Sequence, residues 1–422
     1  MLKDRYDNPL TTRSQAARDA YIDAIDLLLE GQAGPVAGFE KALEHDAGFA
    51  LGWCGLARSH HFTGNIAQAQ SAMERAEALT EGTTAREKSH VAALGLMISG
   101  QLPQAYSAIR AHVLEYPRDA LIAQTCSSIF GLIGFSGQPG REAEMLAFNA
   151  SLLPHYGEDW WAISQYAFAL CETGNLALAD VKIDQAMAMN PRNAHGAHVR
   201  SHVSYEAGET EAGRAYLANW LSGYDPSGLM FTHLNWHEAL WALAQGDLDT
   251  MWARVDAAVA PEAESGGPAI NILTDTASIL HRATLAGVDV PAERWASVSD
   301  FALRAFPRTG NAFVDIHAAL AHAMAGRQEA LARIIDHPAG PAADLVPDLA
   351  QGFGAVARED WAEAARLLTR SMGDLARIGG SRAQRDLVEQ TLLEALVRQG
   401  KRDEAHDIAL LRRPILAESV AA

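Results

Sequence analysis

The sequence is poor in cysteine, in basic residues and in long apolar runs, and each shortage narrows the class of protein. Its three cysteines, Cys54, Cys126 and Cys171, lie far apart without a CxxC pair, which excludes a zinc ribbon and a disulfide framework. Lysine and arginine number 34 against 52 acidic residues, and the net charge of −18 argues against a nucleic-acid partner and an anionic membrane surface. No stretch approaches the roughly 18 uncharged apolar residues of a membrane span.

Signals for targeting and for common cofactors are also missing. The opening residues MLKDRYDNPLTT contain no apolar signal core, and sparse cysteine fits a reducing compartment, so we expect a cytoplasmic protein. We find no nucleophile elbow, no phosphate-binding loop and no dinucleotide fingerprint, so no nucleotide cofactor is expected.

What the sequence does contain is a repeat. Alanine and leucine dominate, which favours helices. Around Gly174, small residues stand seven positions before it and five after it, at Ala167 and Ala179, and Pro191 ends the unit. The same frame recurs clearly at Gly64 and Gly100. It recurs less completely at Gly208, Gly246, Gly326 and Gly400, and only weakly between residues 120 and 153.

A period of about 34 residues with small residues at the helix crossing is typical of tetratricopeptide repeats. We therefore predict an all-α fold, a right-handed α-solenoid of antiparallel helix pairs curled around a concave pocket. One domain should span residues 1–422, with an N-terminal helical cap over 1–48, helix-pair repeats over 49–400, and a C-terminal helix and tail over 401–422. The helices predicted most directly cover residues 14–30, 50–62, 83–99, 103–115, 160–172 and 176–189.

Helix periodicity then selects a stripe of side chains on the first helix of each pair, the face that lines the concave groove in tetratricopeptide arrays. Seven of the 16 histidines fall on this stripe: His61, His90, His198, His202, His233, His237 and His317. The aromatic residues Trp161 and Phe168 fall on it as well. Because they line a groove instead of packing a core, replacing His198, His202 or His237 by alanine is expected to leave stability nearly unchanged.

Two His-x3-His pairs, His198/His202 and His233/His237, place imidazoles one helical turn apart, where both can meet one ligand or metal. Zinc accepts three or four His and carboxylate ligands, so a transition metal such as zinc is possible here. However, HLNWHE is not an HExxH motif, and the metal ligands stay unknown. The alternative is acid–base catalysis, in which a histidine works beside a carboxylate such as Asp315.

The chain resembles the tetratricopeptide repeat protein 38 family over most of its length. The resemblance rests on PLTT near the start, TTAREKSHVAAL, MNPRNAHGAHVRSH, HLNWHEALWAL, FVDIHAAL and GGSRAQRDLVEQTLLEAL. It implies a helical-repeat fold and one polar site, with matching residues at His90, His198, His202, His233, Trp236, His237, Asp315, His317, Gln384, Arg385 and Asp386.

Two functions follow as hypotheses. In the first, the protein binds a small molecule or a peptide end in a histidine-rich groove, with His90, Trp161, Phe168, His233, Trp236, Gln384, Arg385 and Asp386 as ligand-binding residues. In the second, it is an enzyme on the same scaffold, for example a hydrolase or lyase acting on a small anionic substrate, with His198, His202, His237, Asp315 and His317 as catalytic residues. We expect no nucleic-acid or membrane partner, and a homo-oligomer is possible.

Overall fold

The computed structural model describes residues 1–412; the tail predicted beyond the C-terminal helix lies outside the described residues. Within that range the protein is all-α apart from one short antiparallel hairpin of two strands, β1 and β2, which pairs Leu2–Lys3 with Pro9–Leu10. The first ten helices are α1 (Gln15–Glu30), α2 (Pro35–His45), α3 (Ala50–Phe62), α4 (Ile66–Ala78), α5 (Ala85–Ile98), α6 (Leu102–Glu115), α7 (Ala120–Ser127), α8 (Arg141–Tyr156), α9 (Trp160–Glu172) and α10 (Leu176–Met189).

The remaining helices continue the array without a sheet. They are α11 (Ala194–Glu206), α12 (Thr210–Leu221), α13 (Phe231–Ala244), α14 (Leu248–Arg254), α15 (Ala269–Leu285), α16 (Ala292–Ala305), α17 (Ala312–Met324), α18 (Gln328–Asp336), α19 (Val346–Ala357), α20 (Trp361–Ser371), α21 (Arg382–Arg398) and α22 (Arg402–Arg412). A π-helical turn (Val255–Val259) extends α14, and 3-10 turns cover Ala343–Leu345 and Met372–Ile378.

The chain divides into two compact units. The first unit comprises Met1–Gly134, Glu142–Arg200 and Ser222–Phe231, and the second comprises Phe135–Arg141, Ser201–Leu221 and the chain from Thr232 onward. The boundary therefore falls inside α11. One domain curled around a concave pocket stays a prediction.

Each unit is built from antiparallel helix pairs, as predicted. In the first unit α1 packs on α2, α3 on α4, α5 on α6 and α9 on α10. In the second, α15 packs on α16, α17 on α18, α19 on α20 and α21 on α22, and the first helices of successive pairs also touch, α15 with α17 and α17 with α19. This is the tetratricopeptide-like arrangement, in which stacking buries the apolar face that a single pair leaves exposed.

The turns between paired helices explain why glycine marks the repeat. All seven turn glycines named above have positive φ, between 68° and 82°. That left-handed conformation is costly for a residue with a Cβ but open to glycine. The turn between α19 and α20 is the exception, because Glu359 adopts φ 58° there. A glycine pattern therefore misses this helix pair.

Helix starts follow from the residues that cap them. Ser14 is the N-cap of α1 and accepts a hydrogen bond from the backbone N–H of Ala17 at 3.1 Å. The capping box of Thr84 and Glu87 starts α5, and that of Ser381 with Gln384 starts α21. The predicted bounds of 50–62, 160–172 and 176–189 agree with α3, α9 and α10.

Candidate functional site

Two helices, α11 and α13, bring three histidines of the second unit together. His202 lies on α11, and His233 and His237 lie one turn apart on α13, so both α13 imidazoles project from the same side of that helix. The ring centroid of His237 is 4.7 Å from that of His202 and 4.9 Å from that of His233. A ligand atom from each of the three imidazoles lies within 4.8 Å of the other two. We call these three residues the histidine cluster.

The histidine cluster is buried. His202 is 0%, His233 4% and His237 1% exposed. Helix periodicity therefore grouped these three residues correctly. The expectation that they line an open groove is wrong, because protein encloses their side chains. The expectation that alanine variants cost no stability loses its basis, because each removes packed atoms.

A buried carboxylate on α15 fixes one of the imidazoles. Asp275, 1% exposed, lies 2.8 Å from Nδ1 of His233 through its Oδ2 atom. Asn271 donates to the same oxygen at 3.4 Å. The carboxylate thereby fixes the orientation of the His233 imidazole, as acidic partners commonly do for metal-binding histidines. Sequence analysis missed Asp275; the available signal was an acidic residue inside the otherwise uncharged segment AINILTDTASIL.

Two tryptophans pack against the histidine cluster. The ring of Trp236 stacks on His233 with an interplanar angle of 16° and meets His237 edge-on at 4.8 Å, and Trp241 lies 6.3 Å from His237. Trp236 is fully buried, and its indole N–H finds no acceptor within residues 1–412. An indole nitrogen can only donate, so a buried one calls for an oxygen or another acceptor, which the described part of the chain does not supply.

Electrostatics keep His237 neutral. Burial, together with His202, His233 and Arg282, holds the pKa of His237 well below its usual value. Arg282 also contributes to the lowered pKa of His317, which burial brings to about 4. Neutral imidazole is the form that ligates metals.

Arg282 is the second residue that sequence analysis missed. Its guanidinium donates to Ala383 O at 2.7 Å, to Gln390 Oε1 at 2.8 Å and to Ser278 Oγ at 3.2 Å. It thereby ties α15 to α21 and leaves a buried positive charge near His237 and His317. Its hydrogen-bond partners depend on contacts across the fold, which no local motif encodes.

Asp315 and His317, predicted to act together, lie on different faces of α17. Residues two apart on a helix point roughly 200° apart. His317 turns Nδ1 to the carbonyl of Phe313 at 2.7 Å, whereas Asp315 accepts a hydrogen bond from Gly310 N at 3.1 Å. Asp315 lines a separate pocket with His322. The structure therefore does not place the two in one constellation.

Gln384, Arg385 and Asp386 lie in the first turn of α21, as predicted, and all three are buried. Asp386 accepts a hydrogen bond from the hydroxyl of Tyr205 at 2.9 Å, and Arg385 donates to Gly380 O at 2.5 Å. Tyr205 follows His202 by less than one turn on α11, so this pair links α11 to α21 in the second unit.

The other predicted residues belong to the first unit. His198, one turn before His202 on α11, packs edge-on against Phe168 with ring centroids 5.3 Å apart. Trp161 is 1% exposed and packs against Tyr156 at 5.3 Å. Both aromatic residues are core members of this unit by their burial.

His90 belongs to a second polar cluster in the first unit. Its Nδ1 lies 3.0 Å from Asp119 Oδ2, and Nε2 of His112 lies 3.2 Å from the same oxygen. Arg86 donates to that carboxylate at 2.5 Å. Burial raises the pKa of Asp119, but His90 and Arg86 outweigh it and hold that pKa well below its usual value. A carboxylate already paired with arginine is a poor cation ligand, so we interpret this cluster as a structural ion-pair network.

Comparisons with known proteins concern the fold. No protein-family model matches the chain. The human IFIT1 dimer with m7Gppp-AAAA is 14% identical, with a TM-score of 0.47 over 100% of this chain and 98% of that chain. Yeast Tom70 is 13% identical, with a TM-score of 0.37 over 96% and 94%. The C-terminal part of a TPR repeat-containing protein from Cytophaga hutchinsonii is 14% identical, with a TM-score of 0.31 over 58% and 97%.

Within residues 1–412, no helix combines the length and the apolar character needed to cross a membrane.

Proposed function

We propose that this tetratricopeptide-like protein binds a divalent transition metal, of which zinc is the best match, through His202, His233 and His237. The observation that carries the proposal is the approach of three buried imidazoles to within 4.8 Å of one another, one of them held by a buried carboxylate. In a tetrahedral site, zinc–imidazole bonds of about 2.0–2.1 Å place the ligand nitrogens about 3.4 Å apart, so the three imidazoles close on the metal by small side-chain rotations. Imidazoles enclosed away from water are otherwise an energetically costly way to fill a core.

The ligand that such a metal serves is a small anionic molecule. Three protein ligands leave a tetrahedral zinc with one open position, which a carboxylate or a similar oxygen group can take. The Trp236 ring contacts His233 and His237, its indole N–H lacks an acceptor among the described residues, and Arg282 adds positive charge near His237. Both features favour an oxygen-bearing anion over a cation or an apolar ligand.

Hydrolysis or a lyase reaction on that scaffold is the second candidate function. It is favoured by the same open position, because zinc with three protein ligands lowers the pKa of a bound water to about 7. Binding and catalysis therefore share one site. A turnover assay on small esters, amides and anhydrides with the metal-loaded protein separates them, since a binding protein gives no rate above the metal in buffer.

The finer family assignment belongs to the same proposal. We infer membership of the tetratricopeptide repeat protein 38 family from the motifs quoted above, two of which, MNPRNAHGAHVRSH and HLNWHEALWAL, contain the histidine cluster and His198. The exclusion of nucleic acid stays a prediction from the net charge of −18. Filter binding with a capped oligonucleotide tests it, because human IFIT1 is seen with such an RNA end.

Elemental analysis of protein purified without chelators tests the metal site. We expect one transition metal per chain, and loss of that metal in His202→Ala, His233→Ala and His237→Ala. His45→Ala is the matched control, because His45 is an exposed histidine at the end of α2. Because the cluster is buried, His→Gln variants and thermal unfolding accompany the alanine set to separate lost ligation from lost folding.

His198→Ala distinguishes two forms of the site. His198 follows the same helix one turn before His202, so retention of metal in this variant supports three protein ligands and an open position. Loss of metal indicates a fourth protein ligand and a closed structural site. A wild-type protein that binds no metal even after refolding with zinc, cobalt or nickel contradicts the proposal, and native mass spectrometry then shows whether an organic molecule is bound instead.

A further inference from the structure

A separate pocket lies in the second unit, and its lining includes none of the three histidines of the histidine cluster. Residues from the end of α16, the loop over residues 306–309, α17 and α18 line it, and its volume is about 230 Å³. A molecule in liquid water occupies about 30 Å³, so the pocket volume holds roughly eight groups of that size. Leu303, Phe306 and Ile334 supply apolar walls. The pocket has the mixed lining of a small-molecule site.

Asp315 provides the polar group at the base of this pocket. Its side chain is 3% exposed, and one carboxylate oxygen accepts the backbone N–H of Gly310 at 3.1 Å. Burial raises the pKa of Asp315 to about 6, opposed only by the backbone groups of Gly310 and Asn311. No arginine or lysine contributes to that balance. The carboxylate therefore lacks the cation that buried acidic groups normally require.

The rim of the pocket carries the opposite charge. Arg308 and Arg333 line it, and both residues are exposed. His322 lines the wall but stays neutral, since its Nδ1 meets Ser299 Oγ at 2.8 Å and burial lowers its pKa to about 4. A ligand thus meets a single carboxylate inside, guanidinium groups outside and an apolar surface between them.

We propose that this pocket, the Asp315 pocket, binds an apolar α-amino acid. The ammonium group pairs with Asp315, the carboxylate pairs with Arg308 or Arg333, and the side chain packs on Phe306 and Ile334. Valine, with eight non-hydrogen atoms, matches the available volume. Opposite charges placed at two ends of a pocket recognise a zwitterion and reject molecules that lack either group.

Isothermal titration calorimetry with three related probes tests the site. L-Valine carries both charged groups, L-valinamide lacks the carboxylate, and 3-methylbutanoate lacks the ammonium group; L-leucine and L-methionine test the apolar wall. We expect L-valine or one of these two amino acids to bind, L-valinamide to bind more weakly, and 3-methylbutanoate to give no heat.

Substitutions identify the pocket. Asp315→Asn should weaken amino-acid binding at least about tenfold, because the buried charge pair is lost. The double variant Arg308→Ala/Arg333→Ala should weaken binding of the amino acid but leave L-valinamide unchanged. Asp336→Asn, an exposed acidic residue on α18, is the matched control for net charge. Asp315→Asn retains a hydrogen-bond acceptor for Gly310 N, so folding is preserved.

Two results overturn the inference. One is the absence of binding by all three amino acids at 10 mM, and the other is equal affinity of wild type and Asp315→Asn. Neither result bears on the proposed metal site, because no residue of the histidine cluster lines the Asp315 pocket, so the two proposals fail independently.

Discussion

Replacing Asp275 by asparagine tests whether the histidine cluster is organised for a metal. The carboxylate lies 2.8 Å from Nδ1 of His233 and is 1% exposed, so the substitution removes a charge with no change of size. Partners of this kind typically raise metal affinity 10–100-fold by fixing the imidazole and increasing its basicity. The expected loss is about 1.4–2.8 kcal/mol of metal binding, since each tenfold change is 1.4 kcal/mol.

Competition with a chromophoric chelator measures this loss directly. Zinc is titrated into a mixture of chelator and metal-free protein, for wild type, Asp275→Asn and the control Asp289→Asn. Asp289 is exposed and follows α15, so its replacement changes the net charge equally without touching the cluster. Circular dichroism and thermal unfolding of the metal-free proteins show whether α15 is intact.

The reasoning is refuted by an Asp275→Asn protein that folds and binds zinc as tightly as wild type. Asp275 would then serve packing of α15 against α13 only. A similar loss in Asp289→Asn would also refute it, because the effect would come from long-range charge and not from orientation of His233.

Three further predictions concern the fold. Asp119→Ala leaves Arg86 buried without its carboxylate, so urea unfolding should show a loss of about 3–5 kcal/mol, and a loss below 1 kcal/mol contradicts the ion-pair interpretation. Glu359→Gly removes the strain of a left-handed glutamate and should raise the free energy of unfolding by about 0.5 kcal/mol. Gly64→Ala places a Cβ in a left-handed turn and should lower the free energy of unfolding by about 1 kcal/mol. Changes of the same sign in the two variants contradict this prediction. Asp315 has a folded pKa of about 6, above its unfolded value, so its favourable contribution is complete below about pH 4 and is lost as pH rises through 6. Asp315→Asn should therefore gain up to about 3 kcal/mol over wild type between pH 4 and pH 7, and a constant difference across that range contradicts it.

Much of the fold was readable from the sequence because the repeat signals are local. A glycine in a left-handed turn and small residues at the helix crossing fixed α3, α9 and α10 to the residue. The turn at Glu359 escaped detection for the same reason, since a glutamate and not a glycine adopts the left-handed conformation there.

The candidate site was readable only in part. Periodicity placed His202, His233 and His237 on one face, and the structure brings them together. It did not reveal Asp275 or Arg282, because their partners lie on other helices. The prediction that Asp315 and His317 act together relied on their closeness in sequence. Side chains two residues apart on a helix project from nearly opposite faces, so the two do not meet.

The expected exposure of the histidines was also wrong. A groove stripe was expected to be exposed, whereas the cluster is enclosed, with His202 at 0% exposure. Long neighbouring side chains such as Trp236 and Trp241 cover it, and their packing depends on how α13 sits against α11 and α15. That depth of enclosure is a tertiary property that no single-helix pattern contains.

Cobalt substitution tests the central claim most directly. Metal-free protein is loaded with one equivalent of Co²⁺, and its visible absorption spectrum is recorded before and after addition of a small anion such as azide. We predict the intense bands of a tetrahedral Co²⁺ site with imidazole ligands, changed by the anion at the open position and absent in His233→Gln. A weak spectrum like that of Co²⁺ in buffer, unaltered by the protein, would contradict the assignment of a metal to His202, His233 and His237.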